Sequence, residues 1–144
     1  MAWGKRPYTS SIMVKPIQIL IVDDYATVRA GLRALLESEA DMQVVGEAGD
    51  GATAVAQARH LHPDVILLDM VLPDFDGLAV IQAVRQENVA VPIVILSNYG
   101  EPDQVEAALA AGASCYLLKD RHLRGLVTAV RDVWTHRIIP KQTI

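Results

Sequence analysis

Short runs of consecutive apolar residues alternate along this chain with longer stretches whose apolar residues recur every three or four positions. Residues 17–22, 42–47, 65–69, 93–97 and 114–118 read as strands. Between and after them, residues 26–39, 52–61, 77–87, 102–112 and 121–135 read as helices. Val28, Leu32, Leu35 and Leu36 mark the inner face of the first helix. Val55, Ala58 and Leu61 mark that of the second, and Leu78, Ile81 and Val84 that of the third. In the last helix the inner face is Leu123, Leu126, Val127, Val130 and Trp134. Gly49-Asp50-Gly51 is a turn, Pro102 suits a first helical turn, and Gly112 a helix end. Five strand–helix units in strict alternation predict an α/β fold, a doubly wound five-stranded parallel sheet with five helices. The third and fourth strands are apolar throughout, as central strands covered on both faces must be.

The ends of the apolar runs carry the chemistry. Ile19-Leu20-Ile21-Val22 runs into Asp23-Asp24, Val65-Ile66-Leu67-Leu68 into Asp69, Ile93-Val94-Ile95-Leu96 into Ser97, and Tyr116-Leu117-Leu118 into Lys119. Parallel strands place all these ends on one sheet edge, the edge where open α/β sheets bind ligands. Three carboxylates meeting there repel one another unless a cation joins them or one is protonated. Oxygen donors with no His or Cys beside them favour Mg²⁺ over zinc or copper. Three carboxylates, a divalent cation and the Lys119 ammonium are together neutral, so a phosphoryl group can enter without net repulsion. Asp69, ending the most apolar strand, is the candidate nucleophile for an acyl phosphate. Lys119 then acts as a point charge on a phosphoryl oxygen and Ser97 as a hydroxyl donor to another.

These motifs, in this order and spacing, resemble the receiver domain of two-component response regulators, with the CheY-like (flavodoxin-like) fold. The resemblance spans about residues 17–134. It rests on Asp23-Asp24, the run Leu68-Asp69-Met70-Val71-Leu72-Pro73-Asp74-Phe75-Asp76-Gly77, Leu96-Ser97 and Tyr116-Leu117-Leu118-Lys119-Asp120. It implies that Asp69 is the phosphoacceptor and that Asp24, Asp69 and the Val71 carbonyl are Mg²⁺ ligands, with Asp23 acting through water. It further implies that Ser97 is the switch hydroxyl, Tyr116 the switch aromatic and Lys119 the phosphate-binding lysine. The implied partners are a sensor histidine kinase and, through helix 4, strand 5 and helix 5, a second copy of the chain. Trp134 and Ile138 are expected to be exposed and to add to self-association. The Leu-Leu-Lys-Asp form resembles the NarL/FixJ subfamily, whose output is a C-terminal helix-turn-helix in transcription regulation. Three positions depart from the pattern: Cys115 where a small residue is usual, Asn98 after the switch hydroxyl, and Leu72 before Pro73.

The remaining features narrow the picture. The 144 residues suit one domain, expected over 16–136, with a flexible N-terminal tail over 1–15 and a C-terminal linker stub over 137–144. Only ten residues follow Trp134, against the roughly 60 of a helix-turn-helix domain. The chain is therefore expected to be either a stand-alone receiver, acting by protein contact without DNA output, or one cut from a longer regulator. A net charge of −4 gives it no pull toward nucleic acid, and no apolar run is long enough to span a bilayer. One cysteine excludes an internal disulfide and fits a reducing cytoplasm. His60, His62, His122 and His136 have no ligand spacing, and the arginines of the last helix read as a solvated face. A signalling module is favoured over an enzyme. A phosphatase working through an aspartyl-phosphate needs a second acid two residues after its nucleophile, and that position is Val71. A degenerate dimerisation scaffold would not need Asp23, Asp24, Asp69, Ser97 and Lys119 together.

Overall fold

The computed structural model describes residues 15–87, 90–121 and 123–137. Apart from Lys15 and Arg137, the expected tail and the linker stub with its Ile138 lie outside the described residues, as does His122. The elements are β1 (Ile17–Val22), α1 (Ala26–Glu37), β2 (Met42–Ala48), α2 (Gly51–Leu61), β3 (Val65–Leu68), α3 (Gly77–Glu87), β4 (Ile93–Ser97), α4 (Pro102–Ala111), β5 (Cys115–Leu118) and α5 (Leu126–Thr135). The five strands form one parallel sheet in the order β2-β1-β3-β4-β5. The order reverses between β1 and β3, which opens a crevice beyond their C-terminal ends.

Apolar residues of β1, β3 and β4 alternate between two cores. Leu20, Val22, Ile66, Leu68, Ile93 and Ile95 pack with Val80, Ile81 and Val84 of α3 and with Ala54 and Ala108 of α2 and α4. Ile19, Ile21, Val65, Leu67, Val94 and Leu96 pack with Leu32 and Leu36 of α1 and Leu126 and Val130 of α5. Every residue of β3 and β4 is buried, so helices cover both faces of the sheet. Burying each of these Val, Leu and Ile side chains stabilises the fold by about 1.5–3 kcal/mol before chain entropy is counted.

Three expectations change. The segment before α5 is a 3₁₀ turn, Leu123–Gly125, and Leu123 stays 42% exposed at the rim of a groove lined by Val28, Leu32 and Leu96. Leu123 is therefore not part of the inner face of the last helix. Arg131 is no free member of a solvated arginine face: it binds both Asp41 oxygens at 2.8 and 2.9 Å and Glu39 at 3.1 Å. Trp134 is half-buried against the α1/α5 core, with the Arg137 guanidinium 3.5 Å above its ring, so it offers little free surface for self-association.

Candidate phosphoacceptor site

β1, β3, β4 and β5 each deliver one polar group to the same sheet edge. The Asp23 N–H donates to the Ala48 carbonyl at 3.0 Å and the Asp69 N–H to the Val22 carbonyl at 2.9 Å. The Lys119 N–H donates to the Ser97 carbonyl at 2.8 Å. Strand pairing thus runs right up to these residues and fixes their backbones before any side chain interacts. Asp23, Asp69 and Ser97 are the buried polar residues among those described.

The Lys119 ammonium sits between two carboxylates, 2.8 Å from Asp23 Oδ2 and 3.3 Å from Asp69 Oδ2. The other oxygen of each carboxylate takes a backbone N–H two residues on: Tyr25 N–H donates to Asp23 Oδ1 at 3.0 Å, and Val71 N–H to Asp69 Oδ1 at 3.2 Å. Asp24 is exposed at the mouth, and one oxygen from each of Asp23, Asp24 and Asp69 falls within 4.8 Å of the others. Burial pushes the Asp69 carboxyl above its ordinary value, and the Asp23 charge adds to this against the opposing Val71 N–H and Lys119. Burial alone would pull the Lys119 ammonium down, but the hydrogen bond to Asp23 and the two carboxylate charges win and raise it. Asp69 thus goes up chiefly through its burial, and Lys119 goes up through its carboxylate partners, of which Asp23 is the nearer. One ammonium against three carboxylates leaves a local surplus of two negative charges. An all-oxygen donor set with that surplus, half open to water, fits a hard divalent cation that keeps part of its hydration shell.

Asp23, Asp24, Asp69 and Lys119 come together as the sequence predicts. Ser97 adjoins them through β4–β5 pairing, and its Oγ accepts the Tyr99 N–H at 3.1 Å. Tyr116 stands outside the charged cluster. It is half-buried, and its hydroxyl donates to the Tyr99 carbonyl at 2.6 Å. Val71 is 56% exposed in the loop after β3, where it bridges to Asp76, and the Gly77 N–H donates to the Met70 carbonyl at 2.7 Å. Gly77 is required there, because a Cβ would collide with Met70.

Sequence reasoning missed two supporting residues. Arg29 of α1 donates to the Asp23 carbonyl at 2.7 Å and to Glu47 at 3.0 Å, which props the acidic pair from behind. Tyr99 joins Ser97 to Tyr116. Neither contact has a periodic signature, since both involve backbone carbonyls or amides of loops. The half-buried Cys115 packs beside Leu117, and burial raises its thiol, as expected of a small hydrophobe.

Residues 19–131 match the family model described as the response regulator receiver domain. The nitrate/nitrite response regulator protein NarP of Escherichia coli is 43% identical over 116 residues, which cover 81% of this chain and 54% of NarP. The transcriptional regulatory protein LiaR of Bacillus subtilis is 38% identical over 115 residues, covering 80% of this chain and 54% of LiaR. The chain thus spans about half the length of these curated relatives. Among solved structures, a LuxR-family two-component response regulator from Aurantimonas superposes with a TM-score of 0.82 at 32% identity, covering 85% of this chain and 88% of that one. The response regulator domain of Thermotoga maritima CheB does so with a TM-score of 0.79 at 27% identity, covering 84% and 98%.

Proposed function

The chain belongs to the response regulator receiver domain family, on the side of its NarL/LuxR-type transcription regulators, and from that premise we propose that it is a phosphorylation-operated switch with Asp69 as phosphoacceptor. Receiver domains are signalling proteins of two-component systems, and they typically bind Mg²⁺ at an acidic pocket. The observation that carries the proposal is Lys119 held between Asp23 and Asp69, with Asp69 buried at the end of a fully buried strand. A carboxylate so placed is reactive and rigidly aimed.

An Asp69 oxygen attacks the phosphorus of a phosphohistidine on a sensor histidine kinase. The new O–P bond forms as the N–P bond breaks, and the imidazole leaves with the bond electrons. Asp24, Asp69 and the Val71 carbonyl would hold Mg²⁺, with Asp23 contacting it through water, and the ion would neutralise charge on the transferring group. Lys119 pairs with a phosphoryl oxygen, which transfers its ammonium from Asp69 to the product. Ser97 turns its hydroxyl toward another phosphoryl oxygen and gives up the Tyr99 N–H, and Tyr116 follows inward. This is a two-state population shift, biased by contacts present in one state only. The output is a changed affinity of the α4, β5 and α5 face for a second copy of the chain. The domain is read as cytoplasmic, spanning about residues 16–136 and controlling transcription through whatever that face engages.

The test is intact mass after incubation with Mg²⁺ and a small acyl-phosphate donor. A gain of one phosphoryl group that needs Mg²⁺ and disappears in Asp69→Asn supports the proposal. A gain that persists in Asp69→Asn overturns the assignment.

A further inference from the structure

The loop after β3, which carries Val71, is anchored at its base by the Val71–Asp76 bridge and the Gly77 N–H to Met70 carbonyl bond. Its tip has a separate anchor that none of the site chemistry uses. Asp74 reaches across to the start of α2, where Oδ1 accepts the Gly51 N–H at 2.7 Å and Oδ2 the Ala52 N–H at 3.0 Å. The same Oδ1 accepts the Phe75 N–H at 2.8 Å, which locks the turn that presents it. The Phe75 ring lies so close over Gly51 that any Cβ there would collide with it. These are the free N–H groups of a helix start, filled by a residue 23 positions away in sequence. The helix has a cap of its own as well: Asp50 accepts the Thr53 N–H at 2.7 Å. Asp74 therefore takes two N–H groups that Asp50 leaves free, and its carboxylate, though exposed, uses both oxygens on another element.

We propose that Asp74 is a positioning residue for the metal side of the site: its double hydrogen bond to α2 ties down the loop that carries the Val71 carbonyl. The inference rests on the receiver reading of the site. Without the anchor, residues 72–75 regain backbone freedom, and a metal ligand on that loop must be ordered again each time the ion binds. Outer-shell partners of metal ligands commonly contribute tenfold or more to affinity. A tie that acts through the backbone should sit at the low end of that range.

The experiment titrates Mg²⁺ into the full chain and follows the amide shifts of Asp24 and Val71, with Asp74→Ala, Asp74→Asn and Asp50→Ala beside wild type. Asp74→Ala should weaken Mg²⁺ binding by about tenfold. Asp74→Asn keeps one acceptor for the two N–H groups and should fall between it and wild type. Asp50→Ala removes a cap from the same helix without touching the loop, so it should lower thermal stability and leave Mg²⁺ affinity unchanged. In metal-free protein, amide hydrogen exchange at Val71 and Asp76 should speed up in Asp74→Ala only. Equal Mg²⁺ affinity in Asp74→Ala and wild type overturns the proposal, as does equal weakening by Asp50→Ala. Absence of any shift in wild type at millimolar Mg²⁺ overturns the metal site itself, and the positioning role with it.

Discussion

Ser97 and Tyr116 are joined by a single residue: Tyr99 gives its N–H to Ser97 Oγ at 3.1 Å and takes the Tyr116 hydroxyl on its carbonyl at 2.6 Å. Ser97 is buried, as are its neighbours in β4. Tyr116 is half-buried, and its hydroxyl bond lies at the surface. A pull on the Ser97 hydroxyl would therefore have only the backbone of one residue to cross before it met Tyr116.

Tyr116→Phe removes the bond that holds the ring outward, worth about 1 kcal/mol, which is roughly fivefold in the balance of two states. In the variant without any phosphate mimic, the amide shifts of Ser97 and Tyr99 should move part-way toward their mimic-bound positions. Shifts identical to wild type would mean that the hydroxyl bond does not bias the switch.

Lys119→Met leaves the carboxylates of Asp23 and Asp69 facing each other with no cation between them. Losing charge-assisted hydrogen bonds in this partly buried site should cost about 1.5–3 kcal/mol at neutral pH, read by urea unfolding. Mg²⁺ should restore more stability to the variant than it adds to wild type, because the site is then more negative. A smaller Mg²⁺ effect in the variant would contradict the charge account.

Arg131 gives the acid limb of stability a defined part. Its hydrogen bond holds the Asp41 carboxyl below its ordinary value of 3.8, and the Arg33 hydrogen bond, with Arg29, does the same for Glu47, ordinarily 4.5. A carboxylate whose pKa is depressed by folding contributes stability that is fully present above its unfolded value. That stability is lost as pH falls through the folded value. The loss begins as pH falls toward the ordinary carboxylate values and is complete only below the depressed folded values. Because the Asp41 side chain is 40% exposed, solvent screening limits this pair to about 0.5–1 kcal/mol. Arg131→Met should therefore be less stable than wild type at pH ~7 by that amount, with the gap closing as pH falls through the depressed Asp41 value. A gap that is constant with pH would assign the effect to packing.

α4 carries Leu109, 45% exposed, and β5 carries Tyr116, whose hydroxyl meets the exposed Tyr99. Sedimentation should show a monomer that associates when beryllofluoride and Mg²⁺ are added. Unchanged mass together with an unchanged Tyr116 environment at saturating mimic would remove the dimer switch.

The sheet and its charged edge are legible in the sequence because strand burial and strand ends leave local marks. Two fully apolar runs announce central strands, and each polar residue that ends a run must emerge at the edge. Asp23, Asp69 and Lys119 needed nothing more to be placed. Leu123 was misjudged because its apolar spacing continues that of α5, whereas the backbone there is a 3₁₀ turn. Ala54, the best buried residue of α2, has too small a side chain to stand out beside Val55 and Leu61. Tyr99, Arg29 and Asp74 act through bonds between a side chain and a backbone group, and such bonds leave no pattern in a single sequence.

Borohydride trapping locates the phosphoryl group itself. The acyl phosphate formed with Mg²⁺ and a small phosphodonor is reduced to an alcohol, so the acceptor residue is marked as homoserine in peptide mass spectra. The expected mark falls at position 69 alone, and only when Mg²⁺ was present during phosphorylation. A mark at Asp23 or Asp24, or no mark in protein shown to be folded and Mg²⁺-bound, would contradict Asp69 as the phosphoacceptor.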